Sequence, residues 1–126
     1  REVVVFFSDL KGFTSFSESR LPYDVVFVLN QYFRSMGKII EDAGGYIDKF
    51  IGDGIMAIFG LSESIDIAAQ HAIEAALKMH GQLALMNEFL AAELRQPLEL
   101  RIGLHSGPAI IGEIGYGKAA HLTAIG

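Results

Sequence analysis

Two aspartates carry the most reactive arrangement in this chain. Asp9 closes the apolar run Val3-Val4-Val5-Phe6-Phe7-Ser8. Asp53 stands in Gly52-Asp53-Gly54, between the apolar runs Ile47 to Ile51 and Ile55 to Phe59. Carboxylates at the ends of neighbouring strands offer the oxygen ligands that hard divalent cations prefer. Singly, either aspartate reads first as a turn-former, because its side chain hydrogen-bonds its own backbone in turns. As a pair, with Gly12-Phe13-Thr14 after the first and Lys49 before the second, they read as a site.

The elements that must position them follow from periodicity. Residues 3 to 8 form a strand apolar enough for burial on both faces. Lys11 to Ser19 is a turn and short helix, with Thr14, Ser15 and Ser17 as candidate caps. Pro22 suits a first helical turn. Val25, Leu29, Tyr32, Met36 and Ile39 then recur at helical spacing until Gly44-Gly45 allows a left-handed stop. Tyr46 to Phe59 reads as a β-hairpin whose Asp-Gly pair supplies positive φ at the turn, with Asp53 at its tip. Ser64 caps a long helix that runs from Ile65 to about Leu94 and stops before Pro97. Its His71 and His80 lack the spacing of a metal pair, and Glu88 and Glu93 read as a solvated face. Leu98 to His105 is a strand with Leu100, Ile102 and Leu104 on one face and Arg101 and His105 on the other. Ser106-Gly107-Pro108 breaks it, and strands resume over Ala109–Ile114 and Ala119–Ile125. The order β-α-α-β-β-α-β, with extra strands at the C-terminal end, predicts an α+β domain with a ferredoxin-like core across residues 1–126. Such a core hosts many functions, so fold alone assigns none.

Three segments make the sequence similar to a known family. Phe7-Ser8-Asp9-Leu10-Lys11-Gly12-Phe13-Thr14 resembles the first metal-binding motif of class III nucleotidyl cyclases. Asp48-Lys49-Phe50-Ile51-Gly52-Asp53-Gly54-Ile55-Met56-Ala57 resembles the second, and Leu100 to Gly107 resembles the central strand. The resemblance implies two metal ions, Mg2+ or Mn2+, held by Asp9 and Asp53 with the backbone carbonyl of Leu10. It implies a triphosphate-cradling turn at Gly12, Phe13 and Thr14, with Arg101 meeting the phosphates. It also implies ATP as substrate, 3′,5′-cyclic AMP as product, and a homodimer with its sites at the interface. Lys49 matches the adenine-reading residue, where guanylate cyclases usually place Glu. A lysine donates only, and so fits adenine N1 rather than the N1–H of guanine. Thr123 falls at the second base-reading position, where its hydroxyl can accept from the adenine 6-amino group. Thr there resembles the bicarbonate-responsive adenylate cyclases, which makes bicarbonate a further expected ligand. The family continues beyond the segment ending at Gly126 into a helix whose Asn and Arg serve the transition state. The chain therefore reads as a C-terminally truncated catalytic domain, itself impaired in turnover.

Composition limits the alternatives. A chain of 126 residues, 51% hydrophobic and 20% charged, has enough apolar content for one globular core and too much for disorder. A net charge of -5 speaks against a nucleic-acid surface. An anionic nucleotide then needs local compensation, from metals and from Lys49 and Arg101. The chain has no cysteine, which removes disulfides and thiolate sites and fits a reducing cytoplasm. No apolar run approaches the roughly 18 residues of a membrane span. This segment is therefore expected to make no membrane contact, although its parent could be anchored. Two other functions compete: a guanylate cyclase, against which Lys49 argues, and a non-catalytic cyclase-like module that dimerises and regulates a partner. A diguanylate cyclase is disfavoured, because the hairpin lacks a Gly-Gly-Asp/Glu-Glu-Phe segment.

Overall fold

The computed structural model describes residues 2–92, 94, 96–114 and 121–125, with side chains as far as Ala109. Strand β1 (Glu2–Lys11) leads through the short helix α1 (Phe13–Glu18) into α2 (Pro22–Asp42). The hairpin β2 (Tyr46–Ile51) and β3 (Gly54–Phe59) follows, then α3 (Ile65–Phe89) and β4 (Glu99–Pro108). Strands β5 (Ile110–Ile114) and β6 (His121–Ile125) pair with each other as a separate ribbon. The main sheet has four strands in the order β2-β3-β1-β4, and every neighbouring pair is antiparallel. Placing β3 between β1 and β2 is the split arrangement expected of a ferredoxin-like core.

Alternation divides the sheet into two faces. Val4, Phe6 and Leu10 of β1, Ile55, Ala57 and Phe59 of β3, and Leu100 of β4 point into one core with Tyr32, Met36 and Ile40 of α2 and Ala72, Met79 and Leu83 of α3. The opposite face carries Phe7, Asp9, Met56, Arg101 and Gly103, as the pairings Phe7↔Met56, Phe7↔Gly103 and Asp9↔Arg101 require. Both long helices thus cover the inner face.

The helix ends follow local chemistry. Pro22 opens α2. Gly44, at φ 93°, closes it, with Gly44 N–H donating to Glu41 O at 3.0 Å and Gly45 N–H to Ile40 O at 2.9 Å. These are the two bonds of a Schellman motif. A Cβ on Gly45 would lie 2.7 Å from both Ile40 and Phe59, so the close approach also demands glycine. Ser64 caps α3 by accepting from Ile67 N–H.

Several boundaries differ from expectation. β1 continues through Asp9 to Lys11, because β4 pairs with it over its whole length. Asp9 therefore lies inside a strand rather than at its end. β4 runs unbroken through Ser106-Gly107-Pro108, since those residues still pair with Val4, Val3 and Glu2. Pro108 is tolerated at the last position of an edge strand, where no further ladder bond is needed. α3 stops at Phe89 rather than near Leu94. There Asn87 turns to the chain beyond: its side-chain amide donates to Leu98 O and its Oδ1 accepts from Leu98 N–H, both at 2.9 Å. α1 has no side-chain cap; its N-cap is Gly12 at φ 94°, while Ser17 Oγ donates to Thr14 O.

Candidate active site

Pairing brings the two aspartates together. Ser8 faces Ile55 across β1 and β3, so the tip of the β2–β3 hairpin lies against the far end of β1. There Leu10 N–H donates to Asp53 Oδ1 at 3.3 Å. The backbone of the residue after Asp9 thereby fixes the carboxylate of Asp53. The turn itself corrects the expected Asp-Gly geometry. The positive φ belongs to Gly52, at 58°, and no non-glycine residue among those described has a positive φ. Ile51 pairs with Gly54, leaving Gly52-Asp53 as a two-residue loop. Positive φ at the first loop position is the requirement of a type II′ turn. Gly54 is needed for space: a Cβ there would stand 2.9 Å from Ile51 O and 3.3 Å from Ser8 O.

Asp9 meets a cation from the other side. Its register partner Arg101 places Nε 2.8 Å from Asp9 Oδ1, with the carboxylate side chain 31% exposed. The structure thus brings Asp9, the backbone of Leu10, Asp53 and Arg101 together at one end of the sheet. Gly12, Phe13 and Thr14 follow immediately. Phe13 is buried and stacks on Phe16, while Gly12 and Thr14 are exposed. Leu98, held by Asn87, reaches to 3.6 Å from where a Gly12 Cβ would stand, supporting this turn from below.

Lys49 reaches the outer face by a route that simple alternation misses. In β2, Ile47 pairs with Ala57 and Lys49 with the next residue back, Met56. Asp48 is the extra residue of a β-bulge. Ile47 therefore faces the core while Lys49 shares the outer face with Met56 and Phe7, although two residues apart in a regular strand would share a side. Asp48 is buried with its side chain fully covered, and its Oδ2 lies 3.6 Å from Lys49 Nζ. The adjacent polar pair inside an apolar strand was the available sequence signal for this bulge. Asn87 gave no comparable signal.

Two buried hydroxyls lie beneath the carboxylates. Tyr32 and Ser8 are fully buried, and neither hydroxyl closes a hydrogen bond of good geometry. Burial raises the pKa of Tyr32 well above the usual phenol value. The nearby Ser8 hydroxyl opposes that shift, and the charges of Asp53 and Asp9 add to it. Tyr32 thus stays protonated. Elsewhere, His71 pairs with Glu63 at 3.1 Å as a structural contact, and Glu88 is exposed. Glu93 lies outside the described residues. Thr123 stands on β6 opposite Gly112, described in its backbone alone. No cluster of three or more His, Cys, Asp or Glu residues occurs among the described residues, so a metal here would rest on Asp9, Asp53 and backbone oxygen. No helix among them is long and apolar enough to cross a membrane.

Comparison with known proteins agrees with this architecture. The profile of the adenylate and guanylate cyclase catalytic domain family matches residues 1–121. The chain belongs to this class III cyclase family. An adenylate cyclase of Anabaena cylindrica is 35% identical over 130 residues, covering 100% of this chain and 25% of that protein. The solved adenylyl cyclase CyaB from P. aeruginosa superposes with a TM-score of 0.92 at 33% identity, covering 99% of this chain and 65% of that one. The guanylyl cyclase Cya2 gives a TM-score of 0.88 at 39% identity, covering 100% and 64%. The chain thus spans a quarter of that curated relative and just under two thirds of each solved chain.

Proposed function

We propose that this chain is the catalytic part of an adenylate cyclase, converting ATP to 3′,5′-cyclic AMP and pyrophosphate. Lys49 carries the choice of base: the bulge at Asp48 sets its ammonium on the outer face of the hairpin that ends in Asp53. A donor-only group there suits the acceptor N1 of adenine and opposes the N1–H of guanine. Thr123 is the second base contact in this reading.

The donor set fits Mg2+ or Mn2+. Asp9, Asp53 and the carbonyl of Leu10 are all oxygen ligands, as these hard cations require. The guanidinium already seated on Asp9 supports the fit, since it marks that carboxylate as a cation-binding position. Two such ions supply acidification of the ribose 3′-hydroxyl and neutralisation of the leaving pyrophosphate. The protein's own contribution is position. Leu10 N–H fixes Asp53, the Gly12–Thr14 turn would receive the triphosphate, and Arg101, beside Asp9, would meet the phosphates. Holding these groups in place beforehand avoids reorganisation during the reaction. Phe7 and Ile51 expose apolar surface beside the site, which supports a second copy of the chain packing on this face as a homodimer.

The test is metal-dependent turnover by the full-length protein. ATP with Mn2+ should give cyclic AMP and pyrophosphate in equal amounts, and Asp53→Ala should remove both while the protein stays folded. Undiminished product from the variant would sink the carboxylate assignment. The 39% identity to a guanylyl cyclase favours a second reading, guanylate cyclase. That reading predicts faster cyclic GMP formation from GTP.

A further inference from the structure

We propose that Asp48 determines base specificity by positioning Lys49, and that it excludes a carboxylate from position 49. This rests on the reading of Lys49 as the adenine contact and adds a residue beneath it.

Asp48 is the residue of β2 that the bulge removes from the ladder with β3. Its side chain is completely covered, and the ammonium of Lys49 lies 3.6 Å from its Oδ2. A carboxylate out of water requires a charge or hydrogen-bond partner. Lys49 supplies the positive charge while its side chain stays 44% exposed, so the ammonium sits between the buried anion and the open face. The geometry has two consequences. A free lysine samples many rotamers, whereas one drawn to a fixed anion is held near a single position. The contact with Asp48 is an ion pair at 3.6 Å, so the ammonium keeps donors for an acceptor on a purine. Asp48 thus aims the lysine without consuming it.

The second consequence concerns the opposite specificity. A glutamate at position 49 would bring a second negative charge beside the buried one, and adjacent carboxylates resist joint ionisation. A switch toward guanine through Lys49→Glu therefore meets a penalty in the folded protein itself. Neutralising Asp48 in the same molecule relieves it. Specificity is built here as an attractive contact for one base and a repulsion against the residue that would read the other.

The experiment uses the full-length protein and four forms: wild type, Asp48→Asn, Lys49→Glu and the double variant. It measures kcat/KM for ATP and GTP, and Tm. Asp48→Asn should fold normally and lower the ATP-to-GTP preference roughly tenfold, about the value of one hydrogen bond to a charged group, through KM for ATP rather than kcat. Lys49→Glu should lower Tm by on the order of 5 °C and impair both substrates. Adding Asp48→Asn to it should restore Tm and shift preference toward GTP. Asp48→Ser reports the same ratio if Asp48→Asn fails to fold. The inference is overturned if the Asp48 variants keep the wild-type preference, or if Lys49→Glu is as stable alone as in the double variant. If Lys49→Glu leaves the preference unchanged, the assignment of Lys49 fails, and this inference with it.

Discussion

The two faces of the sheet use the same strands under opposite rules. The inner face is uniform: Val4, Phe6, Leu10, Ile55, Ala57 and Phe59 meet the helices in a dry core, and regular alternation suffices to build it. The outer face collects charge and exposed apolar side chains together: Asp9, Arg101, Lys49, Phe7 and Ile51. Its hairpin also carries the bulge at Asp48 and the positive φ of Gly52. Burial organises the inner face and, under the proposed function, ligand geometry the outer one, so substitutions on each should register in different measurements.

The largest effect belongs to the outer face. Asp9→Ala should lower turnover by roughly 10²-fold or more, because metal stabilisation of transition-state charge is worth several kcal/mol. Tm should barely move, since an exposed ion pair such as Asp9–Arg101 contributes at most about 1 kcal/mol. A large loss of Tm with retained turnover would erase the distinction between the faces.

Next come residues that join the faces. Gly54→Ala forces a Cβ to 2.9 Å from Ile51 O. It should cost about 1–3 kcal/mol in denaturant unfolding and also loosen Asp53. Asn87→Leu strips Leu98 of both partners, at about 1–3 kcal/mol for each group left unpaired. Because Leu98 supports Gly12, KM for ATP should rise with it. A stability loss with unchanged KM would confine Asn87 to the fold.

The smallest effect is expected in the core beneath the site. The paired change Ser8→Ala with Tyr32→Phe removes two buried hydroxyls that lack good partners. Unfolding free energy should stay level or rise by up to about 1 kcal/mol. A loss greater than that would show that these hydroxyls are satisfied in the folded protein.

What was legible in the sequence follows the same division. The inner face was readable because helical and strand periods are set by burial, as Tyr32, Met36 and Ile40 show. The Schellman stop at Gly44-Gly45 and the cap at Ser64 were readable because each needs only local chemistry. Asp9 and Asp53 were visible as a pair, and the alternation of β4 correctly set Arg101 apart from Leu100. The pairing that brings Arg101 onto Asp9 was not visible, since register is a property of two strands. The end of β4 was missed for a related reason: Pro108 looks like a break until β1 is seen alongside. The tip of the hairpin was placed correctly, but its positive φ was assigned to the wrong side of Asp53. The adjacent polar pair Asp48-Lys49 hinted at an irregularity in β2, but the bulge becomes definite only when the residues of β3 are counted against it.

The most direct test of the central claim compares kcat/KM for ATP and GTP in the full-length wild-type protein, with Mn2+ present and both cyclic products quantified in one reaction. The account predicts cyclic AMP as the dominant product, by at least tenfold, as expected when a donor-only residue faces the purine N1 position. Dominant cyclic GMP would contradict it, and would mean that Lys49 does not read the base.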